Sequence, residues 1–264
     1  MTVPQKIALR LQRPEPYFSS SKNSNSPNMR GIPLENTVSV AADLAQQAKP
    51  GLRSICVGGP REMVWHGKAI TTSIFKSPVS GRVRANRTNL AGDEQSDLTV
   101  HGGVDKAVYV YPSEHYAYWR EQLPDFPLPW GAFGENLTTD GLLENETHIG
   151  DRLRIGSAEF AVTQPRMPCY KLGVRFDRAD MVKMFLRSGR SGFYLKVVEE
   201  GDIGVGDAVA FTARDERSVS VAQFVSLYTS ENANRDLLRR ATELPDLPES
   251  WREYFGKRLR EQDA

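Results

Sequence analysis

From about residue 52, apolar and polar residues alternate in short runs broken by glycine and proline. "LRSICVG", "EMVWHG" and "KAITTSIFK" place β-branched and apolar side chains at period two. Gly58-Gly59-Pro60 and His66-Gly67 separate them, which predicts three strands joined by tight turns. "KAVYVYP" predicts another strand, and "SEHYAYWREQL" then switches to a helical period with Ser113 as its N-cap. "THIGDRLRIGSAEFAVTQ" reads as two strands around Gly156-Ser157. "ADMVKMFLRSG" reads as a helix closed by Gly189, and "GFYLKVVEEGDIGVGDAVAFTA" as two more strands.

Strands outnumber helices, and no βαβ rhythm runs through the chain, which argues against a doubly wound nucleotide fold. The expected class is mainly β with helices: a mostly antiparallel barrel over residues 36–215, decorated by a few helices. Residues 216–264 change character. "VSVAQFVSLYTS", "ENANRDLLRRATE" and "PESWREYFGKRLREQ" are amphipathic and split at Thr229-Ser230 and at "LPDLP", which predicts a three-helix extension. Residues 37–47 pattern as a short helix that "AKPGL" breaks. Residues 1–35 contain the polar tract "FSSSKNSNSPN" and are expected to be a disordered arm. The basic start "MTVPQKIALRLQR" resembles a mitochondrial transit peptide weakly. Pro4, Pro14 and Pro16 interrupt any amphipathic helix there, so a dispensable arm on a cytoplasmic protein is the preferred reading.

Composition narrows the partners. A net charge of +1 leaves no electrostatic footprint for duplex nucleic acid or for a polybasic membrane anchor. No apolar run of about 18 residues occurs, so no membrane span is expected. Two cysteines, Cys56 and Cys169, cannot build a disulfide framework and suit a reducing compartment.

Candidate chemistry centres on Cys169 in "TQPRMPCYKLGVRF". Arg166 and Lys171 favour the thiolate if they point at the sulfur, and a thiolate is a nucleophile, a redox centre or a soft metal ligand. The alternative is a small core residue beside solvated cations. Cys56, in an apolar strand pattern, reads as structural. Of the four histidines, His66, His115 and His148 read as turn, packing or strand-edge residues. His101 precedes two glycines that let backbone approach a ligand. "HGGVDKAVY" adds Lys106, "GAFGENL" offers Asn136, and "FKSPVSG" ends a strand with Lys76 and Ser77. Taken singly, each is an ordinary surface or turn feature as readily as a site. Zinc-type cysteine and histidine spacings, G-x-G-x-x-G and Walker loops are absent.

In order, "FKSPV", "GDEQSDLTVHGGVDKAVYVYPSEHYAYW", "GAFGENLTTDGL", "IGDRLRIG", "QPRMPCYKL" and "GRSGFYLKV" closely resemble the MOSC-domain family, in its YiiM-like branch. The resemblance covers about residues 70–212, with the C-terminal helices resembling that branch's extension. It implies a β-barrel-like domain binding the molybdenum cofactor, a pterin dithiolene carrying phosphate, with Cys169 as the ligand to molybdenum. It places Lys76, Ser77, His101, Lys106, Asn136, Arg166 and Lys171 around the cofactor, cations for phosphate and Asn136 for the pterin edge. At the level of the domain family it also carries an association with pyridoxal phosphate binding. The activity it implies is reduction of N-hydroxylated bases of the 6-hydroxylaminopurine type. The partners it implies are a small-molecule substrate and a separate electron-donating reductase, with a homodimer open. A sulfur carrier using a Cys169 persulfide and a non-catalytic binding module are the alternatives.

Overall fold

The computed structural model describes residues 50–96, 102–215 and 217–262. The readings made for residues 1–47 and for His101 lie outside them. The three alternating runs form β1 (Gly51–Val57), β2 (Arg61–Trp65) and β3 (Lys68–Thr72). β2 and β3 pair only with each other, as a hairpin turned at His66, which has a φ of 47°. Then follow β4 (Ser77–Pro78), β5 (Arg82–Asn86), β6 (Asn89–Leu90), a single 3-10 turn (Val104–Lys106), β7 (Val108–Pro112), α1 (His115–Gln122) and β8 (Leu137–Asp140). The chain continues through β9 (Arg152–Ile155), β10 (Ala158–Pro165), α2 (Tyr170–Phe176), α3 (Met181–Ser188), β11 (Phe193–Glu199), β12 (Gly201–Gly204) and β13 (Val209–Ala213).

Eight strands form the main sheet in the order β13-β9-β10-β11-β7-β8-β1-β4. Every neighbouring pair is antiparallel except β7 and β8. A parallel pair needs a crossover connection, and α1 provides it, so one βαβ unit sits in an otherwise antiparallel sheet. The expected barrel-like, mostly antiparallel domain is formed, although its sheet is not closed by a continuous ladder. The start of β1 meets the segment entering β13 through the isolated bridge between Gly51 and Ala208, with Leu52 N donating to Asp207 O at 2.9 Å and Val209 N to Pro50 O at 2.8 Å. The last expected pair of strands is three, because β12 leaves the main sheet to pair with β5.

β7 is buried along its whole length, and its alternation sorts side chains to two faces. Tyr109 and Tyr111 enter an aromatic cluster with Tyr116, Trp119, Phe133, Phe176 and Phe185, in which Trp119 donates to the Tyr111 hydroxyl at 2.6 Å. This cluster fastens α1, α2 and α3 against the sheet and sets the wall of the site below. Ser113 does not cap α1. Its hydroxyl donates instead to Asp140, which also pairs with Arg53 at 2.6 Å, and Glu114 takes the cap position without a side-chain bond. A charged carboxylate at the end of β8 outcompetes a local cap.

The extension forms as α4 (Val221–Thr229), α5 (Arg235–Glu243) and α6 (Glu249–Glu261). α4 begins with a reciprocal capping box between Ser220 and Gln223, and Asn234 caps α5. Trp251 of α6 is buried and donates to the Gln164 amide oxygen on β10 at 2.8 Å. Asp246 adds ion pairs to Arg152 at 3.3 Å and Lys196 at 2.6 Å, so the helices are bound to the sheet.

Candidate active site

β10 ends at Pro165, and the chain then turns through Arg166, Met167 and Pro168 to Cys169, the N-cap residue of α2. Cys169 is extended there (φ −126°, ψ 177°), and its side chain makes no capping bond, so the sulfur is not used to start the helix. It lines a cleft with about 100 Å³ of solvent-accessible space, together with Arg166, Lys171, Lys76, Lys106 and Asn136. Six sequence-predicted site residues thus converge from four segments of the chain.

Arg166 is the best-defined member. It is 5% exposed, its backbone N–H is tied to Gly192 O at 3.2 Å, and its guanidinium lies over the rings of Tyr109 (5.5 Å) and Phe185 (5.0 Å). Burial alone would push its pKa down, but Tyr109, Tyr194 and Cys169 around it hold it above its ordinary value. It therefore stays charged, yet its Nη1 is buried without a hydrogen-bond partner. Lys171, 8% exposed, makes no hydrogen bond or ion pair among the described residues. Leaving the buried Arg166 nitrogen unsatisfied is costly unless a ligand completes it.

Three expectations need correction. Lys76 is not free for a phosphate: its ammonium is ion-paired with Asp93, and the two side chains are 8% and 3% exposed. Burial pushes the Lys76 pKa down, while Asp93 pulls it back up. Ser77 begins β4, is exposed, and is not among the residues that line the cleft. Asn136 lines the cleft, but its amide is already engaged: Oδ1 accepts from Tyr109 N at 3.0 Å and Nδ2 donates to Cys56 O at 3.3 Å. It staples β1 to β7, which leaves one amide N–H and one oxygen lone pair for a ligand.

Other cleft residues escaped the sequence reading. Asp93 also accepts from Gly58 N at 2.9 Å, which makes it the floor of the cleft. Tyr109 and Tyr194 face each other across paired strands, their rings 5.4 Å apart. Glu135 is fully buried behind the wall and accepts from Tyr116, from Gly131 N at 2.8 Å and from Phe133 N at 3.0 Å. Burial pushes its carboxyl up, against the lowering effect of those donors. Its loop reaches the cleft through Gly134 (φ 81°), where a Cβ would lie 2.7 Å from Ile74 Cγ1. Only glycine allows that approach. Cys56 is fully buried and its thiol is pushed up to about 12, so it is no rival ligand.

An open, mostly antiparallel sheet domain with a cationic, cysteine-bearing cleft is followed here by three helices. Residues 97–210 match the MOSC domain and residues 219–262 the YiiM-like, 3-alpha helix domain. The chain is 41% identical over 214 residues to the uncharacterized protein YflK of Bacillus subtilis, covering 81% of this chain and 96% of that one. It is 35% identical over 191 residues to protein YiiM of Escherichia coli, covering 71% and 84%. A protein of Gibberella moniliformis named Reductase is 33% identical over 206 residues, 77% of this chain and 36% of that protein. The crystal structure of YiiM from Geobacillus stearothermophilus superposes with a TM-score of 0.67 at 35% identity, over 80% of this chain and 99% of that one. The chain belongs to the MOSC-domain family, in its YiiM-like branch.

Proposed function

We propose that the protein is a molybdenum cofactor-dependent oxidoreductase that reduces N-hydroxylated bases to amines. The observation that carries this reading is the cleft wall formed by Cys169, Arg166 and Lys171. It offers an accessible sulfur, a buried guanidinium with an unpartnered nitrogen and a buried lysine. Among the described residues no cluster of three or more His, Cys, Asp or Glu side chains could hold a metal ion. A metal that arrives with ligands of its own, as in a pterin dithiolene, would need only one sulfur from the chain. The donor set fits: thiolate suits a soft metal centre, and Arg166 and Lys171 suit the anionic groups of the cofactor. The curated relative named Reductase agrees with the oxidoreductase class.

When bound, the cofactor supplies two-electron chemistry at the N–O bond, for which a separate reductase provides the electrons. Cys169 holds and orients it, Arg166 and Lys171 neutralise its negative charge, and the aromatic wall of Tyr109, Tyr194 and Phe133 excludes water from one side of the cleft. The balance is one N-hydroxylamine, two electrons and two protons giving one amine and one water. The test is expression in a cofactor-competent host, followed by elemental analysis and assay of 6-hydroxylaminopurine reduction with reduced viologen. Near-stoichiometric molybdenum is expected in the wild type. Cys169→Ser should abolish turnover while changing stability by no more than about 0.5 kcal/mol, since the sulfur makes no capping bond. Metal-free protein carrying a persulfide on Cys169 would favour the sulfur-carrier reading instead.

A further inference from the structure

We infer that Glu94 reads the amino-oxo edge of the pterin, an assignment that rests on the cofactor reading above. A pterin ends in a 2-amino-4-oxopyrimidine whose ring N–H and exocyclic amino group present two parallel donors. The side chain that complements them is a carboxylate with both oxygens available, through two charge-assisted hydrogen bonds. Asn136 is a poor complement, because its amide oxygen already accepts from Tyr109 N and has a single lone pair left for two donors. Asp93 is half committed, since one oxygen takes both Lys76 and Gly58 N. Glu94 lines the same cleft at its exposed rim, and its carboxylate makes no hydrogen bond or ion pair among the described residues.

Its position is fixed from both sides. Glu94 N donates to Gly58 O at 3.0 Å. The neighbouring Gln95 donates to Thr88 O (2.9 Å) and Lys106 O (3.1 Å) and accepts from Gly103 N (2.9 Å). Arg166 and Lys171 thus stand on the segment after β10, while Glu94 stands on the segment after β6, where Lys76 already neutralises the neighbouring Asp93 and Lys106 lies close by through Gln95. An unpaired carboxylate repels phosphate, so this wall suits the donor edge and the other wall suits the anionic groups. Guanine carries the same edge, and the geometry commits Glu94 to the pterin because Cys169 shares the cleft.

Fluorescence titration of the full-length, metal-free chain with 6-hydroxymethylpterin, its lumazine counterpart (oxygen in place of the 2-amino group) and GMP tests this assignment. The wild type should bind the pterin about ten- to a hundredfold more tightly than the lumazine. Glu94→Gln should bring that ratio close to one without changing the affinity for inorganic phosphate. A ratio unchanged in Glu94→Gln overturns the assignment, and tighter binding of GMP than of the pterin overturns the pterin as its ligand. Failure of the cofactor reading is separate: wild-type protein from a competent host would then contain no molybdenum, whatever the ratio.

Discussion

Asp93→Asn tests how the floor of the cleft is held. Asp93 and Lys76 are almost wholly buried, and Asp93 Oδ1 accepts from both Lys76 and Gly58 N. Asparagine retains an oxygen for Gly58 N but no charge for the ammonium. The uncompensated lysine would sit where burial already pushes its pKa down. Removing one partner of such a pair costs about 3–5 kcal/mol. At about 2–4 °C per kcal/mol for a domain of this size, the melting temperature should fall by about 6–20 °C. The double variant Lys76→Met/Asp93→Asn replaces the pair with neutral groups and should recover most of the loss. The loss should also shrink in alkali. Lys76 would lose its proton in the folded protein below its ordinary value of 10.5, while the unfolded chain keeps its proton. Stability then rises with pH across that window. Circular dichroism melts and urea midpoints at pH 7 and pH 10 read both effects. A single variant within about 1 kcal/mol of wild type, or a double variant no better than the single, would refute the clamp.

Arg166→Lys should lower molybdenum occupancy by about tenfold or more, because a point charge cannot fill the planar slot between Tyr109 and Phe185; full occupancy on elemental analysis would place the anion elsewhere. The Cys56 thiol, ordinarily at 9.0 and pushed up to about 12, ionises first in the unfolded chain. Its contribution to stability is therefore complete below pH 9 and lost as the pH rises towards 12. Cys56→Ala should flatten the fall in urea midpoint between pH 8 and pH 10.5, and identical slopes for the two proteins would count against it. Trp251→Phe leaves the Gln164 amide oxygen buried and unpaired and should cost about 1–3 kcal/mol by urea denaturation. A change below about 0.5 kcal/mol would mean that solvent replaces the bond.

Strand positions were legible in the sequence wherever alternation was strict, as at "LRSICVG" and "EMVWHG", because period two survives any tertiary context. The helix end at Gly189 was legible for a similar reason: its backbone is left-handed (φ 67°), which glycine adopts without strain. The openness of the sheet was not, since whether β1 and β13 join depends on the spatial ends of the strands. Ser113 illustrates the limit of local signals, as its hydroxyl found Asp140 across the fold and not the helix beside it. The cations of the site could be read from motif positions, but their partners could not. Asp93 lies 17 residues from Lys76 with no pattern connecting them, so a lysine that looked free is paired. Asn136 has the right chemistry for a ligand edge, and only the fold shows that backbone groups engage one donor and one acceptor site of its amide.

The bond between Trp251 and Gln164 spans 87 residues of sequence and lies two residues ahead of Arg166 on the chain. A ribosome delivers β10 long before it delivers α6. Until the last helix emerges and docks, the Gln164 side chain at that strand end lacks its partner, although β11 already holds the backbone of the strand. A prematurely terminated chain would therefore keep every residue that lines the cleft and still carry a buried amide oxygen without its donor.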